Sequence, residues 1–100
     1  MPLEIERSDQ AEQDLLEIWH FITDHDERAA DRLLRRILEL LVMLAERPDA
    51  GRARLDLGPA VRSFPATQNF GIFYSRTDTT LRLLRVMRFS RDITPDLFTD

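Results

Sequence analysis

The stretch that decides the fold reads VRSFPATQNFGIFYSRTDTTLRLLRVMRFSR, residues 61–91. It holds three β-rich runs: Val61-Arg62-Ser63-Phe64, Phe70 to Tyr74, and Leu81 to Met87. Thr67-Gln68-Asn69 and Thr77-Asp78-Thr79 separate them at lengths suited to hairpins. In the middle run Phe70, Ile72 and Tyr74 face one way, and Gly71, Phe73 and Ser75 the other. In the last run strict alternation sets Leu81, Leu83, Arg85 and Met87 against Arg82, Leu84, Val86 and Arg88. Both faces of that strand therefore mix apolar and basic groups. One face must meet a further layer, so some of the arginines lie at the strand's ends or snorkel.

That further layer lies upstream. Leu3-Glu4-Ile5-Glu6 alternates apolar with charged and reads as a short strand with one wet face. Ser8 and Asp9 offer N-cap oxygens, and Asp9 with Glu12 resembles a capping box. Ala11, Leu15, Ile18, Trp19 and Ile22 then form a stripe about 100° wide on a helix. Thr23-Asp24-His25-Asp26 interrupts it, and a second helix starts near Glu27. Ala30, Leu33, Leu34, Ile37, Leu38, Leu40, Leu41, Leu44 and Ala45 fill one side of this helix, which ends at Arg47-Pro48. So short a link folds the two helices into an antiparallel hairpin. Pro48 to Gly58 is a polar connection with Gly51 and Gly58 as turn formers. The order is β-α-α-β-β-β, an α+β fold with an antiparallel sheet packed on an N-terminal helical hairpin.

One hundred residues make one domain, 1–100, of ordinary size. With 43% apolar and 32% charged residues the chain is globular rather than disordered. The absence of cysteine removes disulfides, thiolate nucleophiles and Cys-based zinc sites. The opening MPLEIERS lacks the basic-then-apolar start of a secretory signal, and the apolar run Leu40–Ala45 is far short of the ~20 residues of a membrane span. A cytoplasmic protein without membrane contact is expected. The charge is divided: residues 1–46 carry five Arg against twelve acids, and residues 47–100 carry nine Arg against six. All fourteen basic residues are Arg, a side chain that grips carboxylate or phosphate with two parallel hydrogen bonds. A net charge of −4 does not fit a generic or sequence-specific DNA binder, yet the basic half suits an acidic or phosphate-rich partner.

Few residues suggest catalysis. His20 and His25 are five apart at a helix end, poor geometry for a shared metal. Asp24, Asp26 and Glu27 lack the Gly and terminal Glu of a calcium loop. Ser8, Ser63, Ser75 and Ser90 form no nucleophile elbow or triad, and Gly71 marks close backbone approach rather than a phosphate loop. No catalytic residue, metal or cofactor is expected. What remains is Arg62, Arg82, Arg85, Arg88 and Arg91, a basic rim on the last strands. Residues 81–91 hold four of these arginines and no acid, and uncompensated like charge is destabilising until a partner neutralises it.

Several fragments, in this order and spacing, resemble the ParE toxins of the RelE/ParE superfamily of type II toxin–antitoxin modules. They are Ala11-x-x-Asp14-Leu15, the segment from Arg47-Pro48-Asp49-Ala50-Gly51-Arg52 to Asp56-Leu57, Arg62-Ser63-Phe64-Pro65, Ile72-Phe73-Tyr74, Leu84-Arg85-Val86 and Arg91-Asp92-Ile93. The resemblance covers nearly the whole chain, with Phe70 standing where these toxins usually have Tyr. The superfamily's RelE-like branch cuts mRNA on the ribosome. It carries an Arg where this chain has Gly71, and a C-terminal Tyr or His–Tyr that is missing from Asp92-Ile-Thr-Pro-Asp-Leu-Phe-Thr-Asp100. Tyr74, the only tyrosine, lies inside a strand and reads as core.

The resemblance implies a non-catalytic poison of DNA gyrase, blocked by a ParD-like antitoxin in a hetero-oligomer such as a heterotetramer. The expected target surface is Arg62, Arg82, Arg85, Arg88 and Arg91. The antitoxin, typically acidic and amphipathic, is expected on Arg62, Arg85, Arg88 and Arg91 and on Leu16, Val42 and Met43, which point away from the helical stripes. Two alternatives are a RelE-like ribosome-dependent endoribonuclease and an interaction module without toxicity.

Overall fold

A computed structural model describes residues 1–98. The elements are β1 (Glu4–Arg7), α1 (Asp9–Thr23), α2 (Glu27–Glu46), β2 (Arg52–Ala53), β3 (Arg62–Pro65), β4 (Phe70–Arg76), β5 (Thr80–Arg88) and a 3-10 turn (Pro95–Phe98). The fold is α+β as expected, with one short strand, β2, added inside the polar connection. The five strands lie in the order β1-β5-β4-β3-β2. Successive hairpins make β2 to β5 antiparallel, but β1 runs parallel to β5, with Glu4 opposite Thr80 and Arg7 opposite Leu83. The sheet is therefore mixed, not antiparallel throughout. No hairpin joins β1 to β5, so nothing local in the sequence sets their relative direction.

Both helices start on side-chain caps. Ser8, not Asp9, is the N-cap of α1: its Oγ accepts from the Ala11 N–H at 3.0 Å and donates to the Leu84 carbonyl at 2.8 Å. The Asp9–Glu12 box does not form; Glu12 instead approaches Arg7 at 3.5 Å. Asp26 caps α2 by accepting from the Arg28 and Ala29 amides. Between the helices and the sheet, Leu33, Ile37, Leu41 and Leu44 of α2 pack with Ile72, Tyr74, Leu81, Leu83 and Val86. Full burial of each such side chain is worth about 1.5–3 kcal/mol. Leu38, expected in this core, is exposed. A second cluster lies on the other sheet face, where Leu57, Val61, Phe73 and Met87 are covered by Leu84, Ile93, Leu97 and Phe98.

The alternation of β5 breaks once. Phe73 faces Arg85 but Tyr74 faces Leu83, leaving Leu84 without a partner on β4. This bulge reverses the facing of everything after it. Leu81 and Leu83 point to the helices before it and Val86 after it, while Met87 joins the opposite cluster. Arg82 and Arg88 consequently lie on opposite faces, contrary to the uninterrupted alternation.

Tyr74 is wholly buried, and its hydroxyl latches the Pro48–Gly51 turn by donating to the Pro48 carbonyl at 2.7 Å and accepting from the Gly51 N–H at 2.9 Å. A Cβ on Gly51 would stand 2.6 Å from Tyr74 Cε1, and one on Gly71 would stand 2.6 Å from Phe89 Cε1. The Phe89 ring lies at the surface and can swing away; the Tyr74 ring cannot. Gly51→Ala is expected to destabilise the fold by about 2–3 kcal/mol. Gly71→Ala should cost less than half as much, as urea denaturation of the two variants will measure.

Candidate functional site

The five rim arginines have different fates. Arg85, at 8% exposure, is inside the protein. Its Nε donates to Asp14 Oδ2 at 2.7 Å and its Nη2 to Asp14 Oδ1 at 2.9 Å, a bidentate pair with a carboxylate that is itself 6% exposed. Asp14 Oδ2 also accepts from the Val86 N–H at 3.1 Å, and Arg85 Nη1 donates to the Leu97 carbonyl at 3.1 Å. The hydrogen bond from Arg85 to Asp14 holds the guanidinium above its already high ordinary pKa, against the opposing effect of burial. This group is permanently charged and internally neutralised. The expectation that Arg85 displays its charge to a partner is corrected by the structure.

Arg62, on β3, is tied by its side chain to the turn latched by Tyr74. Its Nη1 donates to the Gly51 carbonyl at 2.7 Å, and Nη2 lies 3.7 Å from Asp49. Arg82 stands across from Glu6 in the β1–β5 register, with an N–O separation of 3.6 Å. That leaves Arg88 and Arg91 at the end of β5, both exposed and bridged by a backbone hydrogen bond from Arg91 N–H to the Arg88 carbonyl. Neither has a carboxylate within 4.0 Å among the described residues. Arg88 instead lies over the Phe21 ring, 4.6 Å from its centroid, and near Phe70 at 5.4 Å. The structure thus brings together two of the five arginines rather than a continuous rim.

The apolar footholds also divide. Leu16 and Val42 are exposed, but Met43 is half-buried and packs against the core. Leu16 lies with Leu15, Trp19, Leu34 and Leu38 in a groove of about 380 Å³ between the helices, which Val42 does not line. Sequence reasoning missed Leu38, and it missed Phe21, which is exposed beside Arg88. It also gave Asp14 no role, although an acid between Ala11 and Leu15 falls inside the apolar stripe of α1, and an acid so placed needs a buried cation.

No group of three or more His, Asp or Glu among the described residues could hold a metal ion. No described helix is long and apolar enough to cross a membrane. His20 and His25 meet Trp19 and Phe21 edge-on, at ring-centroid distances of 5.3 and 5.8 Å.

A small mixed sheet backed by a helical hairpin is also the fold of chains from solved toxin–antitoxin systems. A chain of the chromosomal ParDE system of P. aeruginosa superposes with a TM-score of 0.70 at 20% identity, covering 86% of this chain and 95% of its own. The YoeB dimer structure from Staphylococcus aureus gives 0.61 at 18% identity, covering 91% and 100%. A chain of the E. coli DinJ-YafQ toxin-antitoxin complex gives 0.55 at 17%, covering 88% and 93%. At these identities the likeness is one of fold. No curated protein sequence matches. The family model of the ParE toxin of the type II toxin-antitoxin system, parDE, matches residues 5–93, and the chain belongs to that family.

The Asp14–Arg85 pair permits a direct test. Asp14→Ala strands a buried guanidinium and is expected to destabilise the protein by about 3–5 kcal/mol. The double variant Asp14→Leu/Arg85→Met removes both charges and should recover most of that loss, leaving the cost of the freed Val86 N–H. Chemical denaturation of wild type, single and double variants will measure both.

Proposed function

We propose that this toxin acts by adhesion, as a non-catalytic inhibitor of DNA gyrase, and that a ParD-like antitoxin silences it in a cytoplasmic hetero-oligomer. The observation that carries this reading is the state of the groups at the basic end of the sheet. Arg88 and Arg91 are displayed without carboxylate partners among the described residues, whereas the chain's one tyrosine is buried and stands across from Leu83, four residues along β4 from the Phe70 that faces Arg88. RNA cleavage needs a basic cluster next to a proton-transfer residue. Tyr74 is buried with both hydrogen-bonding directions of its hydroxyl in use, and burial holds its pKa above the ordinary value. Arg85, the most central of the rim arginines, already carries its counter-charge. Guanidiniums freed of such ties are suited to grip an acidic surface.

The basic end, with Arg82 and Arg62 as more distant contributors, is the proposed contact with gyrase. The antitoxin is proposed to cover Arg88 and Arg91 and to extend along the helices over Leu16 and Val42. Purified toxin is expected to inhibit gyrase supercoiling and to trap cleaved DNA. Arg88→Glu/Arg91→Glu should weaken that inhibition by at least about ten-fold while leaving the thermal midpoint nearly unchanged. Discrete codon-linked cuts in primer extension on translated mRNA, with gyrase unaffected, would replace this reading by the ribonuclease one. Antitoxin binding with neither effect would leave an interaction module.

A further inference from the structure

We infer that the Phe21–Arg88–Phe70 stack is a receptor for one carboxylate of the antitoxin, carried on a peptide segment with an adjacent apolar side chain. The inference rests on the antitoxin partnership proposed above and narrows it to a site and a chemistry. Three adjoining hollows, of about 240, 330 and 440 Å³, share Phe70 and Arg88 in their walls. Ile18 and Phe21 add apolar surface on the α1 side, and Arg91, Ser90 and Asn69 add polar groups on the other. Phe21 is a large exposed aromatic ring in contact with Arg88 and, edge-on, with His25.

Stacking fixes the plane of a guanidinium and leaves its N–H edge pointing outward. An Arg held this way loses little side-chain freedom when a carboxylate docks, so the bidentate hydrogen bonds form at low entropic cost. Arg91, joined to Arg88 through the backbone, adds a second positive charge beside it. The adjoining hollow over Ile18, Phe21 and Phe70 accepts an apolar side chain from the same segment.

Charge selects a peptide over a nucleic acid. Glu17 stands in the wall of two of the hollows, and α1 also carries the exposed Asp9 and Glu12. A phosphate chain leaving Arg88 along the helix would meet these carboxylates one after another. A single carboxylate set between Arg88 and Arg91 does not. Base stacking is also poorly served, because Phe70 is buried and Arg88 covers a face of Phe21.

The test uses the full toxin and the antitoxin purified from their co-expressed complex, with affinity measured across about 50 to 300 mM NaCl. Arg88→Gln is expected to weaken binding by on the order of ten- to a hundred-fold and to flatten its salt dependence. Phe21→Leu, which keeps the charge but removes the ring, should lose part of that affinity. Arg91→Gln, a change with no packing role, should weaken binding less than Arg88→Gln but measurably. Arg36→Gln, on the exposed side of α2, should have no effect. Wild-type affinity in Arg88→Gln, or an equal loss in Arg36→Gln, would overturn the assignment while leaving the antitoxin partnership intact. So would an oligo-dT strand whose binding needs Arg88 when the antitoxin's does not. Failure of the wild-type toxin to bind the antitoxin would remove the partnership and the site together.

Discussion

The fold turns on how the outer edge of β5 is closed. β5 is an interior strand of the sheet, but β1 accompanies it only from Thr80 to Leu83. Beyond that point the Leu84 carbonyl and the Val86 N–H face α1 with no strand to pair with. Leaving a buried backbone group unsatisfied costs about 1–3 kcal/mol. Ser8 and Asp14 fill the gap, one with a hydroxyl donor and the other with a carboxylate acceptor. Once Asp14 is buried as an anion it needs a cation, and Arg85 supplies it from the adjoining residue of the same strand. The remaining Nη1 of Arg85 then reaches the Leu97 carbonyl and pins the C-terminal turn over the second sheet face. One strand edge thus accounts for the position of α1, the burial of Arg85 and the path of the tail. Such a pair is worth little against a well-packed apolar substitute, so its physical role is to fix the helix on the bulged strand in a single register.

Much of this architecture can be read from local pattern. The stripe from Ala11 to Ile22, the stripe from Ala30 to Ala45 and the two hairpin spacers each signal an element within a few residues, because periodicity and turn chemistry are local properties. The faces of β4 are equally legible, and so is the close approach at Gly71, which the Phe89 ring explains. Three features are not local. The parallel pairing of β1 with β5 joins segments with no connecting hairpin. The bulge at Leu84 is an extra residue that simple alternation cannot register, and it misplaced Arg82 relative to Arg88. The partnership of Asp14 with Arg85 spans most of the chain, although Asp14 sits in an apolar stripe where an acid calls for a partner.

The division of charge between the two halves acquires a meaning from these contacts. Four arginines in residues 81–91 without an intervening acid look uncompensated along the chain. In space, the acidic N-terminal half supplies Glu6 to Arg82 and Asp14 to Arg85. Compensation runs along β5 in the order in which β1 and α1 pass it, and it stops where α1 has passed the strand's buried portion. The two arginines beyond that limit are the ones left facing solvent. Counting arginines therefore overstates the interaction surface, while asking which strand positions the acidic half can reach locates it. The same geometry sets a basic strand end beside a helix rich in carboxylates. That local dipole orients an acidic partner during approach and disfavours a long polyanion that would have to cross the helix.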